Sequence, residues 1–407
     1  MRWTIRGTTR WLETWLRTWL KPRIGIAVLG GLCATAGANT TGAADLSSMA
    51  PYPALAPATG ELAVPLPQRP APRVALLLPL RSESLGRAAE AVRDGFMAGY
   101  ERDRNGATLT VYTTGDNGRD MLATYAEAAL ANDIIVGPLS RTDVTTLAQS
   151  DAVRRPTIAL TQPDVDAPLP QQLLVIGLSV EEEARQAANW AGAGKKDARA
   201  LVLTGSAAWQ RRAGKAYAAQ WQQLGMEAQV LELPNAGAFL GAASLAALKR
   251  QLQTDKPALV LLALDAPQAR QVRAVTGSDM PLYGISQLNP FVPQERASSE
   301  AWPDLDGTRL VDLPWMIEPA HPAVMIYPRA LPSPEQPLNA DLERLYALGI
   351  DAWRIANEVG AHHTRFVLDG VSGKLTVNFG EGATSFRRTP LQAVYRGGIV
   401  VPLVPAY

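Results

Sequence analysis

Residues 74–80 read Val-Ala-Leu-Leu-Leu-Pro-Leu, and residues 134–139 read Ile-Ile-Val-Gly-Pro-Leu. A strand with one wet face alternates apolar and polar side chains. An unbroken apolar run stopped by Pro or Gly marks a strand covered on both faces, the habit of parallel sheets. Between the two runs, Leu85, Ala88, Ala89, Val92, Phe96 and Tyr100 follow helical spacing. Thr108–Tyr112 reads as a strand and Asp120–Ala131 as a helix. Helical Arg141–Gln149 and a strand over Thr157–Leu160 follow. Such a βαβ series predicts a parallel sheet flanked by helices.

The alternation restarts beyond Pro163, Pro168 and Pro170. Strands are expected over Leu173–Ile176, Ala200–Leu203, Ala228–Leu233, Ala258–Leu262 and Leu282–Gly284. Helices are expected over Glu181–Ala193, Ala207–Leu224, Leu240–Leu252 and Pro267–Ala274. The tail differs: a helix over Asp341–Val359 precedes Lys374–Asn378, Leu391–Tyr395 and Ile399–Leu403, which read as antiparallel finishing strands. The expectation is an α/β protein of two lobes, 73–164 with 313–366 and 165–312 with 367–407, joined by a hinge of several crossings. Ligands of open α/β sheets sit in the crevice beyond the strand ends.

Ahead of this body, residues 1–38 carry six basic groups against Glu13, then an apolar run Ile24–Ala34 and a small-x-small site Ala36-Gly37-Ala38. Basic, apolar and small-residue regions in that order predict a signal peptide, and the run is too short to span a bilayer. Residues 39–72, with seven prolines from Pro51 to Pro72, read as an extended linker. Without the basic leader, the overall charge of +1 turns mildly acidic, which disfavours nucleic acid as a partner. One cysteine, Cys33, and three histidines leave neither a disulfide nor a Cys/His metal site. No cofactor motif is present. Any membrane tie would run through a lipid on Cys33, although Leu32 and Gly30 fit a lipidation signal poorly.

Val74–Leu80 followed by Ala91-Val-Arg-Asp-Gly-Phe96, together with Ile134–Leu139, resembles the opening of type I periplasmic binding proteins. Within that fold, three tail segments resemble the LppC/LpoA family of class A penicillin-binding protein activators: Leu345–Asn357 (LYALGIDAWRIAN), Phe366–Leu375 (FVLDGVSGKL) and Ile399-Val-Val-Pro402. The likeness runs from Arg73 to Leu403. It implies a non-enzymatic protein of the periplasm, attached to the outer membrane, that regulates peptidoglycan synthesis through such a synthase. Well-known members carry a helical repeat domain before this body; residues 39–72 stand in its place here.

In amino-acid-binding members of the fold, hydroxyls and backbone N–H groups at strand ends hold the ligand. The matching positions are Ser82, Leu139, Ser140 and Thr161 from the first lobe, and Trp209 and Ser286 from the second. A second reading therefore stays open, a receptor for amino acids or similar small ligands of an ABC-type transporter. Helix capping competes for Ser140 and Thr161. Asp265 before Pro267 reads as a cap, and Trp315 is expected near the hinge. Glu181-Glu182-Glu183 opens a helix, where carboxylates suit the dipole.

Overall fold

The computed structural model describes residues 71–165, 167–295, 300–329, 339–380 and 384–403. The expected leader, Cys33 and nearly all of the linker lie outside the described residues. The body opens with β1 (Arg73–Leu78), α1 (Gly86–Arg102), β2 (Thr108–Thr113), α2 (Gly118–Ala131), β3 (Ile134–Val136), α3 (Arg141–Ala148), β4 (Thr157–Ala159) and β5 (Leu173–Val175). These strands form one parallel sheet in the order β2-β1-β3-β4-β5. The unbroken run of β1 has the burial it implies. Val74, Leu76 and Leu78 enter the core on one face, Ala75 and Leu77 the core on the other, all at 0% exposure. At its neighbour's exit, Gly137 has φ +118°, and a side chain there would overlap the Leu77 carbonyl.

The second series comprises α4 (Val180–Gly192), β6 (Ala200–Thr204), α5 (Ala208–Gln223), β7 (Ala228–Glu232), the hairpin β8 (Asn235–Ala236) and β9 (Phe239–Leu240), and α6 (Ala242–Asp255). It continues through β10 (Leu259–Ala263), α7 (Ala266–Thr276), β11 (Leu282–Gly284), β12 (Arg309–Asp312) and the short α8 (Pro314–Ile317). Then come α9 (Ala340–Gly360), β13 (Arg365–Gly370), β14 (Gly373–Asn378), β15 (Ser385–Thr389), β16 (Leu391–Arg396) and β17 (Ile399–Pro402). The larger sheet has the order β17-β16-β12-β11-β10-β6-β7. Its core strands are parallel, and β16 and β17 close it antiparallel, as the tail predicts. Leu201 and Leu203 of β6 face one core, Ala200 and Val202 the opposite one.

The expected lobe boundaries need three corrections. Leu173–Val175 pairs parallel with β4 in the first sheet, so the chain crosses after Val175 and not near residue 165. A three-residue apolar run does not show which sheet it joins. Residues 313–317 and Tyr327 pack into the core of the second sheet. Residues 367–389 do the reverse: β13, β14 and β15 make a separate antiparallel sheet whose Leu375, Val377 and Phe379 seal the first lobe's core. The helix α9 serves both, with Ala347 and Ile350 in one core and Leu348, Ala352 and Trp353 in the other.

Three crossings join the lobes: Ile176–Ser179, the stretch between β12 and α9, and Pro390 between β15 and β16. Gly95 of α1 and Gly349 of α9 let the two helices meet backbone to backbone. A side chain on Gly95 would overlap the Tyr346 carbonyl, and one on Gly349 the Val92 carbonyl.

Candidate functional site

The crossings surround a cavity of about 610 Å³. Its walls are the β4 exit loop with Gln162 and Asp164, Arg141 at the start of α3, Gly177 and Ser179 of the first crossing, and the first turns of α4. Arg212 of α5, Leu313 of the second crossing, and Phe386, Arg388 and Pro390 by the third complete it. That size falls within the range of small-molecule sites.

Ser179 starts α4, its Oγ accepting the Glu182 N–H at 3.2 Å. Two of the three following glutamates behave as a helix opening should. Glu181 pairs with Arg212 at 2.7 Å, and Glu182 with Arg185 at 2.9 Å. Glu183 does not. It sits eight and four residues before Ala191 and Ala187, on the buried stripe of α4, and so is carried inward. Its Oε2 accepts the Ser286 N–H at 3.0 Å. Burial pushes its carboxyl up to about 7; Asp312 adds to the rise, and Ser286 and Arg344 oppose it. Behind it, the Tyr217 hydroxyl is fully buried and has no hydrogen-bond partner. Burial and the Glu183 charge both hold that phenol well above its ordinary range.

Arg388 clasps the crossings. It donates to the Ile176 carbonyl at 2.7 Å, the Gly177 carbonyl at 2.9 Å and Ser372 Oγ at 3.0 Å. Ser372 Oγ in turn donates to Asp351 Oδ2 at 2.6 Å, and Asp351 accepts the N–H groups of Val371 and Ser372. Burial draws the Arg388 guanidinium down to about 10, against Asp351 and Glu183. From the other lobe, Gln186 Nε2 reaches the Arg388 carbonyl at 2.6 Å.

A second clasp lies one layer deeper. Arg344 of α9 meets Asp312 Oδ2 at 3.1 Å and also donates to the Ser286 and Asn289 carbonyls. Burial would lower its guanidinium, but Asp312 and Asp341 outweigh that and hold it above its ordinary value. Trp315, wholly buried, gives its backbone N–H to the Val371 carbonyl, in keeping with its expected place by the hinge.

None of the six residues expected from sequence lines the cavity itself; Ser140, Thr161 and Ser286 adjoin it through a chain neighbour or a hydrogen bond. Ser82 Oγ accepts the Leu85 N–H at 2.9 Å and shapes the turn into α1. Leu139 is buried in the first lobe's core. Ser140 caps α3 through the Asp143 N–H at 3.3 Å, and its neighbour Arg141 faces the cavity. Thr161 lies against Gly177, and its neighbour Gln162 lines the wall. Trp209 packs half-buried on the edge of the second lobe's core. Ser286 is the one that reaches the site's chemistry, through Glu183. Asp265 forms a capping box with Gln268. Sequence reasoning missed Arg388 and the inward turn of Glu183. The helical phase of α4 carried the second signal; nothing local carried the first.

Among the described residues, no group of His, Cys, Asp and Glu is placed to hold a metal ion. No described helix is long and apolar enough to cross a membrane.

Two α/β lobes with parallel sheets, three crossings and a cavity between them define a type I periplasmic binding protein fold. A solved chain from Chromobacterium violaceum ATCC 12472, described as "a putative branched-chain amino acid ABC transporter", superposes with TM-score 0.63 at 34% identity. It is matched over 79% of this chain and 99% of its own. The C-domain of LpoA from Haemophilus influenzae, described as "a regulator of PBP1A", gives TM-score 0.64 at 21% identity over 82% of this chain and all of that domain.

The family model described as "LppC putative lipoprotein" matches residues 51–381, and the chain belongs to that family. Among curated relatives, the penicillin-binding protein activator LpoA of Photobacterium profundum is 28% identical over 348 residues, 75% of this chain and 53% of the relative. That of Enterobacter sp. (strain 638) is 28% identical over 311 residues, 67% of this chain and 41% of the relative. The chain thus spans about half the length of the curated relatives it matches.

Proposed function

We propose that this chain is a non-enzymatic envelope regulator that acts in the periplasm, at the outer membrane, by activating a class A penicillin-binding protein. One observation carries the reading: the family match runs over residues 51–381, which takes in strands of both lobes and all of α9, and the curated relatives are named as activators. The geometry supports it. Arg388 and Arg344 are spent on clasps across the hinge and Glu181 and Glu182 on ion pairs, as suits a protein that holds a shape for a partner. The test is glycan-strand synthesis and crosslinking by a purified class A synthase, with and without the full chain. Stimulation is the expected result. No stimulation by the chain, and no co-purification of a synthase from envelope extracts, would overturn it.

The receptor reading draws on the Chromobacterium violaceum likeness. Uptake of labelled leucine, unchanged in cells lacking the chain, discards it.

A further inference from the structure

An open sheet ends in outer strands, and an unpaired edge invites another strand unless something guards it. Most edges here are guarded. β5 lies against β15, and Arg388 takes the carbonyls just beyond it. β7 ends in Glu232, which faces Arg211 at 3.8 Å. β13 carries Arg365 and Asp369, and Arg354 holds the Asp369 carbonyl at 2.8 Å. β17 ends in Pro402. β2, the other edge of the first sheet, has no such device. From Gly106 to Gly115 the chain reads Gly-Ala-Thr-Leu-Thr-Val-Tyr-Thr-Thr-Gly, without a charge or a proline. The Thr108 N–H donates to the Pro72 carbonyl at 3.1 Å, and the Thr114 N–H to Leu78 at 2.9 Å. The even-numbered positions therefore bond β1, and Leu109, Val111 and Thr113 turn their N–H and C=O groups outward. Of these, the Thr113 carbonyl accepts from the exposed Arg81 at 3.0 Å and keeps a second lone pair. Val111 is 39% exposed on this edge. Alongside, Asn132 at the end of α2 bonds the Tyr112 hydroxyl, and Leu130 two residues before it is 84% exposed.

We infer that β2 is a dimerisation edge, to which a second copy of this chain adds its own β2, antiparallel, about a two-fold axis at Val111. The register selects that occupant. Val111 meets Val111 of the other copy, and Leu109 of each meets Thr113 of the other. Every outward N–H then finds an outward C=O, and on the opposite face Thr110 stands beside Tyr112 of the other copy. No like charges face each other. Beyond the strand ends, the same register sets Asp116 of one copy against Gly106 of the other, two residues from Arg104. Arg104 stacks over Tyr100 at 5.4 Å and Asp116 accepts the Glu83 N–H; neither has an ion-pair partner among the described residues. The two-fold brings these opposite charges together twice, and it closes on itself, so assembly stops at two copies. β2 and β5 are opposite edges of the first sheet and the first crossing leaves after β5, so the pairing leaves the hinge free. The inference stands apart from the synthase reading: a monomeric chain can stimulate a synthase, and a dimeric one can fail to.

The experiment is sedimentation equilibrium of the full chain over a rising concentration series. A few strand pairs with flanking side chains make a small interface, so the mass should double with a dissociation constant of about 10–100 μM. Val111→Pro should abolish the dimer and keep the fold, because the N–H it removes faces outward and the bonds to β1 survive. Val111→Lys, which sets two ammonium groups opposite each other at the axis, should weaken it several-fold. Val230→Lys, on the β7 edge, should change nothing; circular dichroism reports the fold of each variant. A single-copy mass at about 300 μM, several times the weakest expected constant, overturns the inference. So does association that both Val111 variants leave intact, or a plateau mass above two copies.

Discussion

Where α1 crosses α9, the two backbones touch. Gly95 and Gly349 leave no room for even a methyl group, and Trp353 packs edge-on against Phe96 and Tyr100 at 5.5 and 5.0 Å between ring centres. A few residues along the same helix, the contacts change character. Arg344 grips Asp312 and two carbonyls, and Asp351 holds Ser372, which holds Arg388. The seam is fixed by shape and the hinge by charge. Shape admits one arrangement and fails abruptly. A charged clasp answers to pH and to anything charged that enters beside it. One helix joins the two, so each can be perturbed while the other serves as reference.

The largest expected effect is on the charged side. Arg344→Met strands the buried Asp312 carboxylate and should cost about 3–5 kcal/mol in urea unfolding, the usual penalty for breaking a buried pair. On the steric side, Gly349→Ala would normally stabilise a helix by about 1 kcal/mol. Here it should destabilise by roughly 2–3 kcal/mol, since the new methyl meets the Val92 carbonyl. A gain in midpoint would break the account of the seam.

Glu183→Gln comes next, with the sign reversed. The folded carboxyl titrates near 7, above its unfolded value. Between those values the folded state keeps a proton that the unfolded state has lost, so native stability falls as pH rises toward 8. The variant escapes that loss. It should be more stable than the native chain by about 1–3 kcal/mol at pH 8 and nearly equal at pH 4.5. Parallel curves across that range would show that Glu183 carries no such penalty. Smallest is Ser140→Ala. The loss of its cap should cost about 1 kcal/mol, visible as a shift in thermal midpoint.

Much of the fold could be read from the chain because it is written locally. Val74–Leu78, Ile134–Val136, Ala200–Leu203 and Ala258–Leu262 are strands buried on both faces, and an unbroken apolar run has few other uses. The strands β13 and β15 escaped notice because Arg365–Gly370 and Ser385–Thr389 mix charged and apolar residues, and they are strands only through pairing with β14. The site was harder still. Ser82 and Ser140 were expected because hydroxyls at strand exits suit ligands, but hydroxyls there also serve the backbone, and that use prevailed. Arg388 acts on carbonyls more than two hundred residues away. No local pattern encodes such a contact.

The helix α9 runs for 21 residues, a rod of about 30 Å at 1.5 Å per residue. Near one end it is pinned to the second sheet, and along its length it lies flush against α1. A stiff rod held this way cannot slide or tilt against α1, because Gly95 and Gly349 leave no slack between the two backbones. It travels with the first lobe as one piece. Any turning of one lobe against the other is then felt first where Arg344 holds Asp312.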